Sequence, residues 1–257
     1  MTTALLQTTY FGPVQWYQKL YRYDHCLIEQ YDSYQKQTYR NRCVIATANG
    51  LQALTVPVEH NANCQLSNRI FSTLIPLGVR TVNCPLDPVA LHLQVKEFVK
   101  DLRISDHNQW RKVHWNALQS AYSESPFFEY YVDDIRPFFE RRYDFLIDFN
   151  EAIRQKICEL IDIHPHVEYT TEYVKPTANC QLSNRIFSTL IPLGVRTVNC
   201  QLVKDFREVI HAKHPQPDAD FEAKPYWQVF QHRYGFQPNL SILDLLFCMG
   251  PESIFYL

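Results

Sequence analysis

Lys36, Arg40 and Arg42 sit at even spacing in Tyr34–Cys43, YQKQTYRNRC, the most polar informative run of the chain. If this run extends as a strand into RCVIAT, side-chain alternation puts the three cations on one face and Tyr39 and Asn41 on the other. Three cations on one face suit a phosphate or a carboxylate, and arginine offers a bidentate fork. With Glu29 just upstream, the candidate substrate-binding set is Glu29, Lys36, Arg40, Asn41 and Arg42. The competing reading is a solvated edge strand whose cations are satisfied by nearby acids such as Glu29 and Asp32. The residues alone leave both open.

A second candidate is His114, in WRKVHW, which shares a helical face with Trp110 and Leu118. It is the candidate general acid or base. A core histidine with satisfied hydrogen bonds explains the same spacing, since no second catalytic group is fixed beside it. His25 and Cys26 are adjacent, and neighbours on a strand point to opposite faces, so they make no nucleophilic pair. Asp244 is either a carboxylate aimed into a pocket or the acidic partner of Ser241 in a capping box. The runs 126–131 and 137–139 are rich in aromatics and suit a sugar or base platform, although core packing is the default use of such rings.

Several chemistries are excluded by what is missing. The chain has six glycines and no Gly-rich phosphate loop, GxSxG, HExxH or Walker motif. No metal-ligand set is expected and no cofactor is indicated. Net charge is −2, with no basic–aromatic stacking platform, so nucleic acid is not an expected partner. A small molecule, such as a nucleotide sugar or an amino acid, is.

Elements that would position these groups can be marked along the chain. ALLQT at 4–8 reads as a strand, Pro13 opens the amphipathic VQWYQKLYRY, and HCLIEQ follows as an apolar run. That is a β-α-β start, which implies parallel strands. RCVIAT and LQALTVPV flank Ala48-Asn49-Gly50, a hairpin signal. VKDLRIS is a further strand. Helical spacing then takes over at 108–121, ends at Ser125-Pro126, and resumes over 134–163 with a break near Arg142. Ser241 opens a final helix that Gly250-Pro251 stops. The expected class is α/β, mixed α+β, with a β-α-β unit plus hairpin first and a helix-rich second half.

One feature lies outside this pattern. Residues 62–84 and 178–200 are the same 23 letters, ANCQLSNRIFSTLIPLGVRTVNC. Structural repeats diverge at their loop positions, so copies this faithful point to recent duplication or insertion. They carry four of the eight cysteines, and their Cys-x19-Cys spacing is not that of a zinc knuckle. The expectation is one domain spanning 1–257, with both copies as surface excursions. The N-terminus lacks the features of a signal peptide and no apolar run spans a bilayer, so the expected location is the cytoplasm.

Several pieces resemble the WbqC-like family. They are TYFGPVQWYQKL, CLIEQYDSYQKQTYRNRCVI, ALTVPVE, LRIS, WRKVHWNALQSAYSESPFFEYY, FLIDFN and NLSILDLLFCMGPE. The resemblance implies a transferase of O-antigen or surface-polysaccharide synthesis, attaching glycine or another small acyl or aminoacyl group to an amino sugar. A non-catalytic binding or assembly protein of the same pathway is the alternative. Many members carry a histidine near the N-terminus where this chain has Gln7-Thr8-Thr9-Tyr10. A mechanism through that histidine does not transfer here.

Overall fold

A computed structural model describes residues 2–59, 98–175 and 202–257. Both 23-residue copies, and the expectation that they are surface excursions, lie outside the described residues. The fold is mixed α/β, as the patterning predicts.

Strand β1 (Thr2–Gln7) leads through helix α1 (Val14–Arg22) to β2 (His25–Glu29). The two strands are parallel, with Leu5 opposite Leu27. Two strands unmarked in the sequence complete the sheet, β7 (Val167–Tyr169) beside β2 and β8 (Leu202–Asp205) beside β1. The order is β7-β2-β1-β8, all parallel. Ala4, Leu5 and Leu6 are all buried, as expected of a central parallel strand covered on both faces. Helix α1 lays Trp16, Tyr17 and Leu20 against the core, and the Trp16 indole N–H donates to the Gln7 carbonyl at 2.9 Å.

The expected hairpin is β3 (Arg42–Thr47) with β4 (Gly50–Thr55), Thr47 pairing with Gly50. Pro57 has no N–H to donate, and the second run breaks there. Its remainder forms β5 (Val58–Glu59), antiparallel to β6 (Arg103–Ile104). The strand expected at VKDLRIS is thus only two residues long, preceded by a 3-10 turn at Val99–Asp101.

Helix α2 (Trp110–Tyr122) starts late because Asn108 and Gln109 are left-handed, at φ 63° and 46°. Helix α3 (Phe128–Ile135) starts six residues before the helical stretch expected over 134–163, and that stretch holds α4 (Pro137–Glu140) and α5 (Leu146–Leu160). Its main break covers 141–145, matching the expected position near Arg142. Helix α6 (Gln231–Tyr234) is a single turn, and α7 (Ile242–Met249) is buried from Ile242 to Cys248. A helix apolar on every side belongs inside the core. Gly250 ends it at φ 57°, where an added Cβ would lie 2.6 Å from the Phe127 ring. Among the described residues no helix is long and apolar enough to cross a membrane.

Candidate functional site

Strands β1, β2, β7 and β8 run the same way, so Gln7, Glu29, Tyr169 and Asp205 end at one edge of the sheet. From β1 the chain goes to β2 on one side, and β8 joins on the other. Crevices outside the carboxyl ends of parallel strands, where the chain changes direction, are the usual ligand sites of such sheets.

Charged residues gather at this edge. Glu29 is fully buried. One carboxylate oxygen accepts the Tyr31 backbone N–H at 2.8 Å and the Thr170 hydroxyl at 2.9 Å. The other accepts the Val174 N–H at 2.8 Å and faces Arg207 Nη1 at 3.4 Å. Arg207 forks onto Asp205, with Nε at 3.0 Å from Oδ1 and Nη2 at 2.6 Å from Oδ2. Burial opposes the Arg207 charge, but the Asp205 bonds outweigh it and hold its pKa above the ordinary value. Arg40 is buried and paired with Asp32. Burial lowers the Arg40 pKa, and Asp32 opposes that shift. The two halves touch electrically, since Asp32 also acts on Arg207.

Buried amides frame the cluster. Asn150, from α5, donates to the Arg40 carbonyl at 2.8 Å and to the Thr8 hydroxyl at 3.1 Å. Gln7 donates to the Ile210 carbonyl. The side-chain carbonyl oxygens of Gln7, Asn41 and Asn150 find no hydrogen-bond donor among the described residues. Buried acceptors without partners are uncommon and carry an energetic cost.

This geometry corrects the three-cation face. Residues 36–41 are turns and bends, with Gln37 at φ 63°, so strand alternation does not apply to the run from Lys36 to Asn41. Arg40 turns inward to Asp32. Arg42 opens β3 and its Nε donates to the Thr55 hydroxyl across the hairpin at 3.0 Å. Lys36 is exposed on the turn. Asn41 is buried and donates to the Val56 carbonyl at 2.8 Å. Of the five candidate binding residues, the edge therefore brings Glu29 and Arg40 together, with Asn41 following Arg40 in the chain. Arg207 and Asp205 were missed. Their available signal is an Asp-x-Arg one residue after the apolar Leu202-Val203.

His114 makes no hydrogen bond to the charged side chains of this cluster among the described residues. It is buried, and its Nδ1 is 2.9 Å from the Tyr10 hydroxyl, which donates if that nitrogen is unprotonated. Its ring meets Trp110 edge-on, with centroids 5.1 Å apart. Burial lowers its pKa to about 4, against a weaker opposing bond to the Thr55 backbone. The unfolded chain therefore takes up a proton that the folded chain refuses. Stability contributed by His114 is full above the ordinary value of 6.5 and is lost as pH falls from there toward about 4. The loss over that window is expected to be about 3 kcal/mol. Urea unfolding at several pH values should show this component in wild type and not in His114→Gln. Equal slopes would contradict it.

Asp244 is not a cap. Ser241 caps α7 alone, through Leu243 N. The Asp244 carboxylate instead accepts from Tyr122, Tyr226 and Gln228 at 2.9, 2.7 and 3.0 Å. Two surface hollows are also present. One is lined by Ala46, Leu51, Phe230 and Tyr234, the other by Arg111, Trp115, Arg136 and Phe139. Neither shares a residue with the charged edge. We place the site at the edge, because buried charge and orphaned acceptors mark function more specifically than shape does.

The comparisons with known proteins agree with the resemblance in the sequence. The model of the WbqC-like protein family matches residues 7–75 and 86–256. The "Uncharacterized protein Rv1507c" of Mycobacterium tuberculosis (strain ATCC 25618 / H37Rv) is 25% identical over 260 residues, covering 99% of this chain and 96% of that protein. No solved structure matches the chain. A match over almost the whole length makes this chain a member of the WbqC-like protein family.

Proposed function

We propose that the chain is a transferase of surface-polysaccharide synthesis that attaches glycine, or another small acyl or aminoacyl group, to the amine of an amino sugar. The observation that carries this reading is the charge balance at the carboxyl edge. Glu29, Asp32 and Asp205 face Arg40 and Arg207, so three carboxylates meet two guanidiniums. The guanidiniums are already neutralised, which disfavours a second anion there. The surplus negative charge and the orphaned acceptors of Gln7, Asn41 and Asn150 suit an amine instead. Exposed Lys36 is then the residue left for a phosphate of the carrier. His114 positions Tyr10 and the hairpin in this reading and does not exchange protons with substrate.

Among the described residues Cys26, Cys43, Cys158 and Cys248 are buried and unpaired, which supports a cytoplasmic site of action. We also take the chain as one domain, with the two copies inserted into it.

The test is a thermal-shift screen with glycine, ATP, a nucleotide-linked amino sugar and its N-acetylated counterpart. Ligands that bind only the folded state raise Tm. The free amine is expected to stabilise and the acetylated form is not. Asp205→Asn should weaken amine binding by roughly tenfold to a hundredfold, the value of a hydrogen bond to a charged group. No shift with any ligand, or the same affinity in Asp205→Asn, contradicts the proposal. Binding with no product detectable by mass spectrometry supports a binding or assembly protein instead.

A further inference from the structure

The opposite edge of the sheet carries a second group of side chains that the charged edge does not use. His25 is the first residue of β2, and His166 immediately precedes β7. The register pairs Cys26 with Val167 and Leu27 with Glu168, which sets His25 directly beside His166. The Cys26 N–H donates to the His166 carbonyl at 2.9 Å and locks that alignment. Side chains two apart on a strand share a face, so His166 and Glu168 point the same way, toward His25.

The distances fit a shared ion. His25 Nε2 is 3.4 Å from Glu168 Oε2, and His166 Nε2 is 3.9 Å from Glu168 Oε1. One nitrogen or oxygen from each of the three lies within 4.8 Å of the others. Zinc–ligand bonds of about 2.0–2.2 Å in tetrahedral geometry separate ligand atoms by about 3.4 Å. Small side-chain rotations would therefore close the set. The two imidazole rings are 4.7 Å apart at centroids, tilted by 36°. His25 Nε2 is itself buried and makes no hydrogen bond among the described residues. An exposed histidine–carboxylate pair contributes little by itself, which leaves the convergence of both rings on Glu168 without a structural reason.

We propose that His25, His166 and Glu168 form a binding site for a divalent cation of the zinc class, tying β2 to β7. Two imidazole nitrogens and one carboxylate are a borderline-soft donor set, suited to zinc and poorly matched to calcium or magnesium. His166 and Glu168 are largely exposed, so a fourth position faces solvent. The sequence shows one local trace of the site, a His-x-Glu at the start of β7, because His25 and His166 come from distant parts of the chain.

The experiment uses the full chain, stripped with a chelator and titrated with zinc chloride by calorimetry and by thermal melting. The expected result is one ion per chain with micromolar or tighter affinity and a rise in Tm. His166→Ala and Glu168→Gln should each weaken binding by roughly tenfold or more. Both positions are exposed enough for the variants to fold, which circular dichroism checks. His211 and His214 form another imidazole pair, 5.9 Å apart at centroids. Replacing both by alanine should leave the affinity unchanged. Failure to bind zinc at 100 μM (about a hundredfold above the expected Kd), unchanged binding in His166→Ala, or loss of binding in the His211/His214 variant each overturns the assignment.

Discussion

Glu29→Ala is expected to lower the unfolding free energy by about 3–5 kcal/mol, the range for breaking a buried ion pair from one side. Glu29 has no exposed surface, and four donors depend on it. Its removal leaves the N–H groups of Tyr31 and Val174 and the Thr170 hydroxyl without an acceptor, and loosens Arg207. Each unsatisfied buried group costs about 1–3 kcal/mol. Glu29→Gln separates hydrogen bonding from charge. It keeps one acceptor and the shape, and should cost clearly less than Glu29→Ala. For a chain of this size a loss of 3 kcal/mol corresponds to roughly 6–12 °C in Tm. Equal costs for the two variants would mean that the charge, not the hydrogen-bond hub, carries the effect. A cost below 1 kcal/mol for Glu29→Ala would contradict the buried network itself.

Asp244→Ala should be nearly as damaging, at about 2–4 kcal/mol, since it orphans the hydroxyls of Tyr122 and Tyr226 inside the core. Asp244→Asn is the informative partner. Burial raises the Asp244 pKa, and hydrogen bonds from Tyr226, Tyr122 and Gln228 only partly offset this. The unfolded chain therefore releases this proton near the usual carboxylate value of 3.8, while the folded chain holds it to higher pH. The contribution of Asp244 is full below that value and is lost as pH rises through the raised pKa. Asparagine has no such charge to bury. Asp244→Asn should thus gain on wild type as pH rises and come within about 1 kcal/mol of it, or exceed it, at neutral pH. Urea unfolding of both proteins across the acid range reads this directly. A constant gap between the two curves would show that Asp244 keeps an ordinary titration.

What could be read in the sequence was local. The β-α-β start follows from Pro13 and two apolar runs, the hairpin from Asn49-Gly50, and α7 from Ser241 and Gly250. Each signal lies within a few residues of the structure it dictates. The Tyr34–Asn41 run misled because even spacing of cations looks strand-like, whereas the backbone turns at Gln37 so that Arg40 meets Asp32. Ser241 and Asp244 have capping-box spacing, yet two tyrosines and Gln228, brought close only by folding, claim the carboxylate. The charged edge was half legible. Glu29 and Arg40 fall in one polar stretch, but Arg207 lies 178 residues from Glu29. Pairing across that distance is set by sheet order, and β7 and β8 are too short to announce themselves by periodicity.

We propose the carboxyl edge of the parallel sheet as the working site. Hydrogen–deuterium exchange with and without the stabilising amino-sugar ligand tests it most directly. Slowed exchange is expected in peptides covering 7–10, 29–41 and 205–211, with the hairpin–Phe230 hollow unchanged. Protection confined to Ala46–Leu51 and Phe230–Gln237, or to the groove beside Trp115, would contradict it.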